Sequence, residues 1–268
     1  MSKSSSSLSS SSGGRRHFVI GDTQVKEGVP IDHFHHIAKA IIDYKPDVVV
    51  HVGDHWDMPS LSSYDLPGSK KMEGARYEDD ISSGNEAFKI LTDAIWKESK
   101  RTIRNKKKRW IPECHYLLGN HDNRIDRAIA KEPKFEGVIS TKHLITEGFV
   151  QHPFLEVLVL DGISYSHYFQ SSHSSYAIGG SIDNRLNKIG TTFVQGHVQG
   201  MMYGNRMYPT GITRHGLVLG STYQHEEEYR GPQGNTHFQG VAVLNEVKNG
   251  DFCTMPLTLN YLRDKYGI

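Results

Sequence analysis

The stretch Asp47-Val48-Val49-Val50-His51-Val52-Gly53-Asp54-His55-Trp56-Asp57 decides how the chain is read. Its first half is a run of β-branched residues, the composition of a strand buried on both faces in a parallel sheet. Gly53 permits a sharp turn where that strand ends, and the carboxylates Asp54 and Asp57 follow. In open α/β sheets the crevice beyond the carboxyl ends of the strands is where ligands bind. A carboxylate there has two oxygens and can bridge two cations. The other reading is a turn whose aspartates cap backbone N–H groups.

Toward the N-terminus the same order recurs: His17-Phe18-Val19-Ile20, then Gly21-Asp22-Thr23-Gln24. Between the two, Phe34, Ile37, Ala38, Ile41 and Ile42 fall at helical spacing and predict a helix over 31–44, begun near Pro30 and stopped at Lys45-Pro46. Strand, helix, strand predicts a parallel crossover that brings Asp22 and Asp54 to one edge. His33, His35 and His36 point in different directions on such a helix and read as an exposed polar face. Residues 1–15 are mostly serine and read as a disordered tail; 16–268 read as one domain.

Toward the C-terminus, 58–110 reads as a loop-and-helix insertion near the carboxylates, with Phe88, Leu91 and Ile95 on one helical face. Its basic run over 97–109, from Lys97 through Arg104 to Arg109, suits a solvated helix end or a nucleic-acid backbone contact. A strand over 111–118 delivers Gly119-Asn120-His121-Asp122, which offers a neutral oxygen donor and an imidazole that titrates near neutrality. Arg124 follows, placed for a phosphate oxygen or for an outward salt bridge. Strands over 154–160 and 163–166, joined at Asp161-Gly162, lead to His167; a helix over 182–189 and a strand over 191–194 lead to Gly196-His197-Val198-Gln199. Strands near 215–220 and 240–244 are expected in a second sheet, with a hairpin turn at Asn249-Gly250 and a return strand over 251–256.

Composition narrows the classes. The 268 residues, 37% hydrophobic and 23% charged, suffice for a sizeable core, and a formal charge of +1 leaves any nucleic-acid contact to a local patch. Two cysteines give neither a disulfide framework nor a zinc–thiolate site, whereas sixteen histidines favour metal or acid–base chemistry. No run approaches ~20 apolar residues and no signal peptide is evident, so a soluble cytoplasmic protein without a membrane partner is expected.

Taken as an ordered set, Gly53-Asp54-x-x-Asp57, Gly119-Asn120-His121-Asp122 and Gly196-His197-Val198-Gln199 resemble the motifs of the calcineurin-like metallophosphoesterases. The resemblance implies an α/β fold, a four-layer sandwich of two β-sheets flanked by helices, with two divalent metal ions at the strand ends. It implies Asp54 as the bridging ligand, Asp22 on the first metal, and Asn120, His167 and His197 on the second. It also implies His121 beside the leaving group, oriented by Asp57. Arg124 and His55 are read as substrate contacts.

The chain departs from the family at two places. Asp22-Thr23-Gln24 stands where the family has Asp-x-His, and Gly196-His197-Val198-Gln199 where it has Gly-His-x-His. Both changes fall on the first metal, whose ligands become Asp22, Asp54 and the amide oxygens of Gln24 and Gln199. Such an oxygen set suits Mg²⁺ or Mn²⁺; the mixed second set suits Mn²⁺, Fe²⁺ or Zn²⁺. A weaker, or empty, first site is expected. The implied activity is hydrolysis of a phosphoester; the basic run and the loop after Asp57, which could guide a strand, put a phosphodiesterase first, nucleases included. A phosphomonoesterase acting on a nucleotide or protein, and a non-catalytic scaffold of the same fold, are the alternatives.

Overall fold

The structure, a computed structural model, describes residues 13–63, 74–105, 109–226 and 231–267. The serine-rich stretch 1–12 and the basic residues 106–108 lie outside them. The chain begins with β1 (Arg15–Ile20), β2 (Val48–His51), β3 (Glu113–Leu117) and β4 (Val150–His152), all paired in parallel. A second sheet follows from β5 (Leu158–Leu160), β6 (Ile163–Ser166), β7 (Phe193–Gln195), β8 (Met202–Met207) and β9 (Thr213–Val218), in the order β5-β6-β7-β9-β8. The chain then returns to the first sheet with β10 (Gly240–Lys248) and β11 (Asp251–Thr258), completing the order β11-β10-β1-β2-β3-β4.

The alternation within each strand divides it between two cores. Phe18 and Ile20 of β1, Val49 of β2 and Val241 and Val243 of β10 face a helical layer. Val19, Val48, Val50, Ala242 and Leu244 face the second sheet. These strands therefore read as continuous apolar runs because both faces are covered. This also explains a correction: the strands near 240 and 251 belong to the first sheet, where β10 lies antiparallel to β1. The strand expected over 154–160 is confined to β5, and β4, β8 and the C-terminal helix Leu259–Tyr266 carry no clear pattern in the sequence.

The helical layer is α1 (His33–Tyr44), α2 (Tyr77–Arg104) and the C-terminal helix. Phe34, Ile37 and Ile41 of α1 pack in one core with Phe88, Leu91 and Ile95 of α2, so the helix of the segment read as an insertion helps build the fold's main core, while residues 64–73 of its loop lie outside the described residues. Gly84 lets α2 close on Trp56, since a Cβ at 84 would lie 2.0 Å from the indole Cδ1. Of the three histidines near the start of α1, His35 is exposed, but His33 is buried beneath the 222–225 loop, and burial lowers its pKa to about 4. On the far side of the second sheet, α4 (Ile182–Ile189) sets Leu186 against Phe169 and Phe193. A further helix, α3 (Arg124–Lys131), follows the Gly119-Asn120-His121-Asp122 loop.

Polar links tie the two sheets together. His17 of β1 contacts Tyr165 of β6 through Nδ1 (2.7 Å) and Asp161 through Nε2 (2.9 Å). His215 of β9 contacts Asp251 of β11 through Nε2 (2.6 Å) and Tyr203 through Nδ1 (2.9 Å). The hairpin turns Asp161-Gly162 (φ 49° and 86°) and Asn249-Gly250 (φ 52° and 82°) have the left-handed pairs of type I′ turns. They also meet, with Gly250 N donating to Asp161 O at 2.8 Å.

Candidate metal centre

The site lies on the loops that follow β1, β2, β3, β6 and β7. The β1 and β2 loops are laced together: Thr23 and Gln24 donate their N–H groups to Asp54 O (3.2 and 2.9 Å), and Val25 donates to His55 O (2.7 Å). Gly53 (φ 106°) and Asp54 (φ 51°) both adopt positive φ, an uncommon conformation for an aspartate that turns its carboxylate into the crevice. Glycine is required at 119, where a Cβ would lie 2.0 Å from Asp54 Oδ1.

Asp122 secures this arrangement. Its Oδ2 accepts from Asp54 N (2.9 Å), Gly119 N (2.7 Å) and the Tyr116 hydroxyl (2.5 Å), and its Oδ1 accepts from Trp56 N (3.1 Å). Asp122 is fully buried, and burial followed by the charge of Asp54 raises its pKa to about 6. The sequence displayed this residue within its motif without revealing the role. An Asp three positions beyond a turn glycine is the available signal, because a short carboxylate there reaches back to the turn's N–H groups.

Four of the predicted ligands converge. The donor atoms of Asp54, His167 and His197 lie within 4.8 Å of one another. Asn120 Oδ1 is 2.9 Å from His167 Nε2 and 2.7 Å from His197 Nδ1, and Asp54 Oδ2 is 3.3 Å from His167 Nε2. His167 donates its Nδ1–H to Val52 O at 2.8 Å, so the neutral ring turns an Nε2 lone pair toward two oxygens that are themselves acceptors. A positive charge is needed among them. Without a metal a proton supplies it: against burial, the carboxylate of Asp54 raises His167 to about 9. Burial works against ionisation of Asp54, but His167 and then His121 outweigh it and hold the carboxyl well below its usual range. His197 lies on the open side of the cluster, lowered to about 4 by desolvation and by the adjacent His167. The donor set therefore fits a metal cation.

Asp22 adjoins this group. Its two oxygens accept from His197 N at 3.1 and 3.0 Å, and a Cβ at Gly196 would lie 2.3 Å from Oδ1. Burial, then the charge of Asp54, raises Asp22 to about 7. Gln24 (φ 40°) is buried beside it, and Gln199, whose carbonyl accepts from Ser221 N at 3.1 Å, is two residues past His197.

His121 sits next to the cluster. Its backbone N–H donates to Asp54 Oδ1 (2.8 Å), and its Nδ1 contacts Asp57 Oδ1 (2.6 Å). Its Nε2 faces Asp54 Oδ2 at 3.9 Å. Burial opposes protonation of His121, but Asp54 and the hydrogen bond to Asp57 raise its pKa. Asp57 also accepts from Lys26 Nζ at 2.9 Å, a cation that no motif or spacing singles out.

The two substrate contacts read from sequence fare differently. His55 is fully buried and points away from the crevice. It closes a chain: Gly53 N donates to His51 Nδ1 (3.3 Å), His51 Nε2–H to Thr23 Oγ1 (3.1 Å), the Thr23 hydroxyl to His55 Nδ1 (2.7 Å), and His55 Nε2–H to Gly84 O (2.9 Å). The sequence of donors closes with both rings neutral, and burial lowers His55 to about 3. It is a brace between β2 and α2, packed edge-on against Trp56 and Phe88, so the assignment as a substrate contact is corrected. Arg124 spends Nη1 on the carbonyls of Asp57 (2.8 Å) and Met58 (3.1 Å), while Nη2 reaches His121 Nε2 at 3.4 Å.

The basic run falls elsewhere. At the start of α2, Gly84 lies under Trp56. Its far end joins the opposite edge of the sheet, where Lys45 and Arg101 pair with Glu98 and Trp110 Nε1 donates to Pro46 O at 2.8 Å. With 28 residues the helix is about 42 Å long, which separates Lys97 and Arg104 from Asp54.

Compared with known proteins, the chain matches no family model and no curated protein. Among the described residues, no helix is long and apolar enough to cross a membrane.

Proposed function

We infer that the chain is a metal-dependent hydrolase of phosphoesters, as the resemblance to calcineurin-like metallophosphoesterases implies, and that it acts foremost on diesters. The observation that carries this reading is the convergence of Asp54, Asn120, His167 and His197, with the His121–Asp57 pair beside them. Asp54, Asn120, His167 and His197 would hold one divalent ion. Asp22, Asp54 and the amides of Gln24 and Gln199 would hold a second, more weakly, with Mn²⁺ or Mg²⁺ favoured. When bound, such ions neutralise phosphate charge and acidify water.

The chain's own contribution is positional and protonic. Asp57 fixes the His121 ring through Nδ1, and Lys26 and Arg124 hold Asp57 and its loop in place. Once protonated at Nε2, in place of accepting from Arg124 Nη2, His121 would supply the proton that the departing ester oxygen takes up. The His121–Asp57 pair borders the ligand cluster, unlike the His17–Asp161 and His215–Asp251 pairs that join the sheets, and this position favours catalysis. A cleft of about 540 Å³, joined to the centre through Arg124 and its contact with His121, supports the diester preference as space for a second ester substituent.

Hydrolysis of bis(p-nitrophenyl) phosphate and of p-nitrophenyl phosphate, each with Mn²⁺, Mg²⁺, Zn²⁺ or Fe²⁺, tests the reading. Faster turnover of the diester is expected. Asp54→Asn removes hydrolysis and bound metal together. His121→Ala lowers turnover at least about 100-fold while metal content is retained. Absence of hydrolysis of both esters with every ion refutes the reading.

A further inference from the structure

A cleft bordered by Arg124, whose Nη2 lies 3.4 Å from His121 Nε2, has two unlike walls. One is the short helical turn Pro59–Leu61 with Ser62 and Ser63; the other is α3 with Phe135 beyond its end. Along α3, Arg124, Arg127 and Lys131 all line the cleft. Their spacing of three and then four residues places one cation per turn on a single helical face, at steps of about 5 Å. Arg127 and Lys131 are exposed. Arg127 uses one donor across the cleft on Ser63 Oγ (3.1 Å), which leaves the rest of its guanidinium fork for a ligand. The carboxylate in the lining, Glu132, is paired with Lys134 at 2.5 Å. Lys134 also lies 5.2 Å from the centre of the Phe135 ring.

We propose that this cleft is the binding track for a single strand of nucleic acid, with the scissile phosphate at His121 and the strand on the leaving-group side running along α3 toward Phe135. The proposal rests on the phosphoester reading of the adjoining centre. A row of cations at regular steps suits the repeated charges of a phosphodiester backbone, and the cleft-facing part of the Phe135 ring, which otherwise packs on the main core, suits a stacked base at the end of the row. The eight residues of α3 span about 12 Å, room for roughly two nucleotides past the reacting phosphate. A phosphopeptide presents one isolated charge and has no use for the row. This placement moves the nucleic-acid contact from the basic end of α2 to a different helix.

The test is equilibrium binding of fluorescent oligo-dT and oligo-U to the full chain in EDTA, where hydrolysis plays no part. The double variant Arg127→Glu, Lys131→Glu is expected to weaken binding at least tenfold and to lower the slope of log K against log salt by about 1.4, the value for two lost phosphate contacts on a single strand. Phe135→Ala is expected to weaken binding about tenfold with little change in slope. Lys97→Glu with Arg104→Glu, at the far end of α2, is expected to leave binding unchanged; circular dichroism confirms that each variant is folded. An unchanged affinity and slope in the α3 double variant, a larger loss from the α2 variant, or tighter binding of a phosphopeptide than of either oligonucleotide overturns the proposal. Wild-type chain that binds the strand but hydrolyses neither nitrophenyl ester overturns the phosphoester reading instead.

Discussion

Asp122→Ala is the perturbation whose size the structure fixes best. The wild-type carboxylate accepts from four buried donors: Asp54 N, Gly119 N, Trp56 N and the Tyr116 hydroxyl. A buried donor left without a partner costs about 1–3 kcal/mol. Even at the low end, four of them come to about 4 kcal/mol. Part of this is offset, because removing Asp122 also relieves the burial that raises its pKa to about 6. A net loss of about 2–4 kcal/mol is therefore expected in urea unfolding, together with weaker Mn²⁺ binding by calorimetry, since the backbone N–H groups of Asp54 and Gly119 lose their common anchor. Asp122→Asn keeps one acceptor oxygen but turns an NH₂ toward donors on the other side, and should fall between wild type and alanine. A stability change under about 0.5 kcal/mol in the alanine variant, with unaltered metal affinity, refutes the assignment of Asp122 as the strut of the site.

Other expectations follow from the same geometry. Mn²⁺ affinity should rise from pH 6.5 to about 9, because His167, raised to about 9, must release its proton to serve as a ligand; calorimetry in buffers of different ionisation heat should detect that proton. For the metal-free chain the signs are definite. Asp22, raised to about 7 from a usual 3.8, binds more protons folded than unfolded in that window, so its contribution to stability falls as pH rises from about 4 to 7. Thermal unfolding in EDTA at pH 5.5 and 7.5 reads the resulting balance, and adding Mn²⁺ should stabilise more at the higher pH. Asp57→Asn removes a group that raises the His121 pKa, so the alkaline limb of the kcat profile should move to lower pH. Gly84→Ala forces a Cβ to within 2.0 Å of Trp56 and should cost about 1–3 kcal/mol in thermal or urea unfolding.

What the sequence made legible was local and periodic. The apolar spacing of α1 and the β-branched runs around Phe18 and Val49 predicted a strand–helix–strand unit, and β1 and β2 do pair in parallel. The glycine-then-carboxylate order placed Asp22 and Asp54 on laced loops, and the later motifs brought Asn120, His167 and His197 to the same place. Contacts made over long separations were not legible. The pairing of β10 with β1 joins residues more than two hundred positions apart, such as His17 and Leu244, and nothing in either run says which sheet it will enter. β8 alternates in burial, but Gly204 and Asn205 are poor strand formers and mask it. His55 read as a site residue because it follows Asp54, yet the positive φ of Asp54 turns the two side chains apart, one into the crevice and one toward Phe88. The basic run drew attention by charge density, whereas the row on α3 is sparse in sequence and visible only when the helix is wound.

The Tyr–His–Asp links between the sheets bear on the centre itself. Asp54 and Asn120 ride on one plate of the sandwich and His167 and His197 on the other, so the cage exists only while the plates keep alignment. Oily faces tolerate slippage; directional bonds at His17 and His215 do not. Loosening either latch, remote though it is from any ligand, should blunt ion capture before it unfolds anything. An ion once captured would act as a rivet through the seam, so that chelation is felt as a softening of the whole interface.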